Sequence, residues 1–557
     1  TGNPEEAQEG DNNAFKLYIG NGFTRVLPGV FESRASATSE PSFVLAATAT
    51  VYVYGGPSQA SDLAFKPDNF ARGLIYRFNG KVAVNNLASF KNMATSWTPR
   101  RYTANMDMSA MDNIVGRTGE GFGTILTGGF VGVTSATDVD GIGVAWAIRR
   151  KPGEQFGTLI IYPGSETATS RGLMRNFTTA DPAPWSSLGA GDSGINADYN
   201  RVKVYPGVTA NESMVSVFEG AMSAVDIDLT SMNASSITDM SRMAYGCTSL
   251  VGVTDQVDAT GGDDESTMTA TIADAGLALP KRGAAGGFGV GKVIKAPSFA
   301  EDCTNLVNVT LGATGAEGEA FLGLSDMTRA FAGCTGLSQV HLRSVGAPGL
   351  VMRETFADAG SGAAESALTL TRVGAQAAVN TSPSAPSILK GASFASVKMK
   401  SSFLEAGMSA TSAFAASTLG SLEIEGSFTG TGASATLAAQ EAAIGSVAIR
   451  SSFTGTNASL RQALSGATGV TSCVIEGSLT GTGASLESFA SGAEVMSASI
   501  TNSLGGANAR ATRAFSEVTS LTALTIQGSF GTGASAGASI TADRLADGCT
   551  SLKTVSI

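Results

Sequence analysis

Three short runs carry residue types that could do chemistry. Ser193 in GDSG (191–194) offers a hydroxyl nucleophile, which needs a histidine as general base. The chain has one histidine, His341, and it lies in a repeat strand, so GDSG is read as a coincidence. GGFGVGK (286–292) has the spacing of a phosphate-binding loop, but Val293 follows where magnesium ligation needs Ser or Thr. It is read as a plain loop. TDVDG (137–141) offers Asp138 and Asp140 to calcium but lacks the third oxygen position and closing Glu of an EF-hand loop. A turn is expected there, and a solvated loop at the acidic run Asp263, Asp264, Glu265. No carboxylate pair stands out for sugar cleavage.

The five cysteines form no CxxC and no disulfide framework. Cys247, Cys303, Cys334 and Cys549 recur at one repeat position that Val518 also fills, which suits a small buried apolar group. No catalytic, cofactor-binding or metal-ligating residue is therefore assigned, and no cofactor is expected.

What must position any working surface is a repeat. GSFTGTGAS (426–434) returns as SSFTGTNAS (451–459) and GSLTGTGAS (477–485). Aligned strands SVKMK, SLEIE, SVAIR, SCVIE, SASIT and ALTIQ alternate apolar and polar residues, so one face is buried and the other wet. The buried column is Met399, Ile424, Ile449, Ile475, Ile500 and Ile526, in steps of 25, 25, 26, 25 and 26 residues. A fixed step of that size predicts a solenoid. Phe403, Phe428, Phe453, Leu479, Leu504 and Phe530 form a second inward column.

A further column, Gly407, Gly432, Asn457, Gly483, Asn508 and Gly533, holds only residues that enter the left-handed region cheaply, so a turn with positive φ is expected in each coil. Two residues on stand Ser409, Ser434, Ser459, Ser485, Arg510 and Ser535. Serine before an Ala-rich segment reads as a helix N-cap, which predicts a short helix per coil burying Phe414, Leu464, Phe489 and Phe515.

Earlier coils share another phrase: MAYGCTSL (243–250), FAEDCTNL (299–306), FAGCTGL (331–337), FSEVTSL (515–521) and LADGCTSL (545–552), with strands following. Here the sequence resembles the bacterial surface leucine-rich repeats called BspA-like, over about residues 200–557. The resemblance implies a leucine-rich-repeat solenoid, a surface location and a role in adhesion.

Composition separates this region from the rest. All three Trp precede residue 186, the last Tyr is Tyr245 and the last Pro is Pro386. The runs at 43–55, 73–84, 141–148 and 157–164 are β-branched or aromatic and bounded by turn residues, so they predict strands. The expected fold is mixed: a flexible arm over 1–13, a β-rich anchoring or assembly domain over 14–170, and a leucine-rich-repeat solenoid over 171–557 with regular coils of about 25 residues over 393–557. Net charge of −11 and 15% charged residues argue against phosphate-driven nucleic-acid binding, and no apolar run is long enough to span a membrane. No positively charged, apolar leader pattern opens the chain at Thr1, which leaves a removed leader open.

The wet strand face carries Lys398, Lys400, Glu423, Glu425, Arg450, Glu476, Thr501 and Gln527, the expected partner-contact face. Opposite charges on neighbouring strands about 4.8 Å apart should pair across the ladder. The expectation is a non-enzymatic, surface-exposed structural or adhesion protein. Its expected partners are other copies of itself, neighbouring structural proteins, and glycan or a host surface protein. Its expected location is extracellular, at a cell or virion surface. A virion tail or head fibre and a polysaccharide-cleaving β-helix enzyme are the alternatives.

Overall fold

The computed structural model describes residues 16–19, 25–26, 50–54, 59–60, 75–79, 124–131, 144–150, 153–163, 172–190, 195–255, 276–280, 292–312, 323–347, 349–373, 384–404, 406–477, 481–501, 507–527 and 541–557. The arm expected over 1–13 lies outside them. Near the start, β1 (Lys16–Ile19), β3 (Thr50–Tyr54) and β5 (Ile75–Asn79) form a parallel sheet in the order β1-β3-β5. A two-residue pair joins β2 (Arg25–Val26) to β4 (Gln59–Ala60). The chain divides into two compact units, Thr1–Ser236 with Val257–Pro280, and Ile237–Gln256 with Lys281–Ile557.

The first unit holds β6 (Thr124–Phe130), β7 (Ala145–Arg150) and β8 (Gly157–Tyr162) in antiparallel order. The sheet then turns parallel through β9 (Tyr199–Val204), β10 (Asp226–Asp228) and β12 (Leu277–Ala278). Register stacks Ile148, Leu159, Val202, Ile227 and Leu277 in one buried row, with Trp146, Ile161 and Val204 in the next. Trp185 packs edge-on against Trp146 with ring centroids 5.4 Å apart. Among the described residues, helix is limited to Ser187–Ala190 and a 3-10 turn at Ile195–Ala197.

The second unit is a parallel β-solenoid. Its strands are β11 (Gly252–Thr254), β13 (Asn308–Leu311), β14 (Gln339–Arg343), β15 (Ala367–Thr371), β16 (Ser393–Lys400), β17 (Thr418–Glu425), β18 (Ala443–Arg450), β19 (Ser472–Glu476), β20 (Ser497–Thr501), β21 (Ala523–Gln527) and β22 (Thr554–Ser556). Each pairs in parallel with the next. The column from Met399 to Ile526 runs in register through β16–β21, and every member is buried. Side-chain alternation and coil period thus come together as the sequence pattern requires. Phe403, Phe428 and Phe453 stack inside, with centroids 5.4 and 5.2 Å apart. Leu479, Leu504 and Phe530 lie outside the described residues.

The expected helix is not there. Ser459 and Ser485 accept the N–H of Arg461 and Glu487 at 3.2 Å as a cap would, but only turns follow; Ser409, Ser434, Ser459, Ser485 and Arg510 pair with one another as a second parallel seam of isolated bridges. That seam continues from Arg510 to Thr541, and Ser535 lies outside the described residues. Beyond the seam the chain makes tight turns. N–H groups of Ala410, Ser412, Phe414 and Ala416 donate to carbonyls of Ser434, Thr436, Ala438 and Gln440 in the next coil, at 2.9, 3.2, 2.6 and 2.9 Å. The intervening Ala413 and Ala415 donate back three residues, to Ala410 and Ser412. A helix would satisfy these groups within itself. Here small residues let the coils approach, and every second N–H is spent on the neighbour.

Positive φ recurs at every described member of the turn column. Gly407, Gly432, Asn457, Gly483 and Asn508 stand at φ 71, 72, 58, 73 and 59°, while Gly533 lies outside the described residues. Side chains that rarely adopt this region do so at fixed positions as well: Phe403, Phe428 and Phe453 at φ 56, 53 and 56°, and Ser412, Leu437, Gln462, Ser488 and Arg513 at 50–54°. Intercoil hydrogen bonds on both sides hold the backbone there against a penalty of about 1–2 kcal/mol each.

Candidate contact face

Strand register gathers the charged residues of the wet face into two columns. Lys398, Glu423, Ala448, Val474, Ser499 and Thr525 form one; Lys400, Glu425, Arg450, Glu476, Thr501 and Gln527 form the other. Pleating sends both away from the buried column between them. All eight residues expected on this face therefore share it.

The ion pairs run straight across and diagonally. Lys398 Nζ donates to Glu423 Oε2 at 2.9 Å and lies 3.8 Å from Glu425 Oε2. Lys400 Nζ is 3.6 Å from Glu425 Oε1. Arg450 donates through Nη1 to Glu423 Oε1 at 2.7 Å and through Nε to Glu476 Oε2 at 3.3 Å. Three cations thus neutralise three carboxylates. The direct pairs were legible from spacing; the diagonal contacts from Lys398 and Arg450 depend on long side chains crossing the ladder. Lys398 above all, then Arg450, holds the Glu423 carboxyl below its ordinary value against the opposing effect of burial. Sugar cleavage pairs a carboxyl raised enough to carry a proton at neutral pH with one kept ionised, and Glu423 is tuned away from the proton-carrying role.

A polar rib beneath the face escaped the sequence reading. Ser402, Ser427 and Ser452 are fully buried. Ser402 N–H donates to Ser427 Oγ at 3.1 Å, and Ser427 N–H to Ser452 Oγ at 3.3 Å. These hydroxyls also lie within donating distance of the carbonyls of Lys400, Glu425 and Arg450, at 3.0, 3.2 and 3.0 Å. The recurring Ser before each Phe was the available signal. The T-G-T glycine was missed too: a Cβ on Gly455 would sit 2.0 Å from the Gly430 carbonyl oxygen, and one on Gly481 1.9 Å from that of Gly455.

A second charged cluster was also missed. Arg329 donates through Nε and Nη2 to Glu301 Oε1, at 2.9 and 2.6 Å, and through Nη1 to Glu354 Oε2 at 2.8 Å. The hydrogen bond to Glu301 leads in raising the guanidinium above its ordinary value, with Glu354 adding to it and burial opposing. Nearby, Arg242 lies 3.8 Å over the Tyr245 ring, and a hydrogen bond to Asp302 raises the Tyr245 hydroxyl. Irregular steps of 28 and 25 residues hid these partners.

Burial pushes the thiols of Cys303 and Cys473 up to about 12 and those of Cys334 and Cys549 upward. Thiolate chemistry is thereby suppressed. Cys303, Cys334 and Cys549 donate instead to the carbonyls of Ala244, Ala300 and Phe515 in the preceding coil. GDSG, TDVDG, the run 263–265 and all of GGFGVGK but Lys292 lie outside the described residues. His341 is exposed on β14. Among the described residues no three His, Cys, Asp or Glu converge as a metal site requires, and no helix is long and apolar enough to cross a membrane. No protein-family model, curated protein or solved structure matches the chain.

Proposed function

We propose that the chain is a non-enzymatic structural or adhesion protein that works at a cell or virion surface, its solenoid serving as a stiff spacer and contact face. The observation that carries this reading is the self-neutralised ladder from Lys398 to Glu476. Its carboxylates are committed to cations, and Glu423 is held ionised. Such a face suits contact with other copies, neighbouring structural proteins, or protein and glycan surfaces better than bond cleavage. The repeat phrase supports membership of the BspA-like leucine-rich repeats, whose setting would be the bacterial surface.

Immunogold labelling of the native source with antibody to the solenoid tests the reading. Label on cell envelopes or extracellular filaments is the expected result. Label on virus-like particles would assign the chain to a tail or head fibre instead. Label confined to the cytosol overturns both settings. Glycan cleavage lost on Glu423→Gln or Glu425→Gln would bring back the enzyme.

A further inference from the structure

The first unit carries a cation deep in its sheet. Lys203 on β9 is 0% exposed, and its Nζ has no hydrogen-bond partner. The Tyr205 ring lies 6.0 Å from it. An ammonium buried without an acceptor is costly. Parallel register sets Lys203 directly opposite Asp228 on β10. Adjacent strands lie about 4.8 Å apart, and opposed residues leave the sheet on the same face. Asp228 is also 0% exposed. Its Oδ1 accepts from the Thr230 N–H at 3.0 Å and from Thr230 Oγ1 at 2.6 Å. Asp226, two residues earlier on the same face, is 8% exposed, with Oδ2 3.8 Å from Arg201 Nε.

We propose that Lys203 and Asp228 condense into an intramolecular amide that ties β9 to β10. The flexible lysine stem carries Nζ across the ladder. One proton passes from the ammonium to the carboxylate, leaving an amine and a carboxylic acid. The amine lone pair attacks Asp228 Cγ, forming the Nζ–Cγ bond. Thr230 N–H and Oγ1–H, already aimed at Oδ1, hold the negative charge that develops there. Asp226 takes the surplus proton from nitrogen and returns it to Oδ2, the Cγ–Oδ2 bond breaks, and water departs. The step is a dehydration and needs no oxidant or cofactor. It replaces a buried ion by a neutral amide, which removes the cost of the buried charge.

Intact-mass spectrometry of the full wild-type chain reads the outcome directly. The expected mass is lower than the sequence mass by one water. A tryptic digest should join the peptide containing Lys203 to the one containing Asp228, with no cut after Lys203. Lys203→Met should restore the full sequence mass. A wild-type chain at full mass and cleaved after Lys203 overturns the proposal, as does a water loss mapped elsewhere, such as a succinimide. Because the wild-type measurement decides, a variant that fails to fold does not protect the idea. Asp226→Asn should raise the uncondensed fraction at least tenfold at a fixed time after synthesis; an unchanged fraction removes Asp226 from the proton transfer.

Discussion

At the residue scale, Glu423 is the hub of the exposed ladder because two cations from different coils converge on it. Replacing it by Gln removes one carboxylate from each, leaving Lys398 with Glu425 and Arg450 with Glu476. The pairs are partly solvated, so Glu423→Gln should cost only about 0.5–1 kcal/mol at low salt, less at high salt. Its folded carboxyl lies below the ordinary value of 4.5. The contribution is therefore present in full above that value and fades as pH falls through the lower folded value. Urea denaturation of wild type and variant should differ at pH 7 and converge as the pH is lowered until the folded carboxyl is protonated. The buried serines behave differently. Ser427→Ala leaves the Ser402 N–H without its acceptor, at about 1–3 kcal/mol, with no dependence on salt or pH. The same denaturation series separates the two mechanisms.

At the element scale, the strands were legible and the corners were not. Alternation over SLEIE and SVAIR, repeated at a constant step, admits one arrangement: inward Ile424 and Ile449 stacked in a parallel ladder. The segments after Ser409 and Ser434 misled because Ser followed by Ala-rich sequence satisfies two geometries. A helix cap uses the serine side chain, whereas a bridge seam uses only its backbone, and sequence records the side chain alone. Phe428 at positive φ was hidden for a related reason, since aromatic residues avoid that region unless neighbours impose it. Of the contact face, the direct charge pairs followed from register, but the diagonal ones required the actual side-chain paths. Coil packing gives a contrast that tests this account. Gly455→Ala drives a Cβ into the Gly430 carbonyl and should cost about 1–3 kcal/mol beyond any φ effect. Gly469→Ala, at φ 73° with open space around it, should show only the φ penalty of about 1–2 kcal/mol. Denaturant midpoints of the two variants should fall in that order.

At the scale of the whole molecule, each coil of the second unit touches its neighbours alone, so stability is a sum of coil and interface contributions. Phe428→Ala removes the middle ring of the Phe403, Phe428, Phe453 stack and should cost about 3–5 kcal/mol. Hydrogen exchange should accelerate first in β16–β18, while β13 and β14 keep their protection. Uniform acceleration along the solenoid would mean that it unfolds as one cooperative body. The glycine at the closest approach of the coils has a further consequence, for how such a chain changes its length over generations. Gly455 and Gly481 each clear the carbonyl of the coil before, and the same glycine stands in the T-G-T of three successive copies, at Gly430, Gly455 and Gly481. A gene segment encoding one coil, duplicated in tandem, carries that clearance with it and arrives able to seat on its parent. Reach can then grow by about 4.8 Å per copied coil, without compensating mutations at the joint.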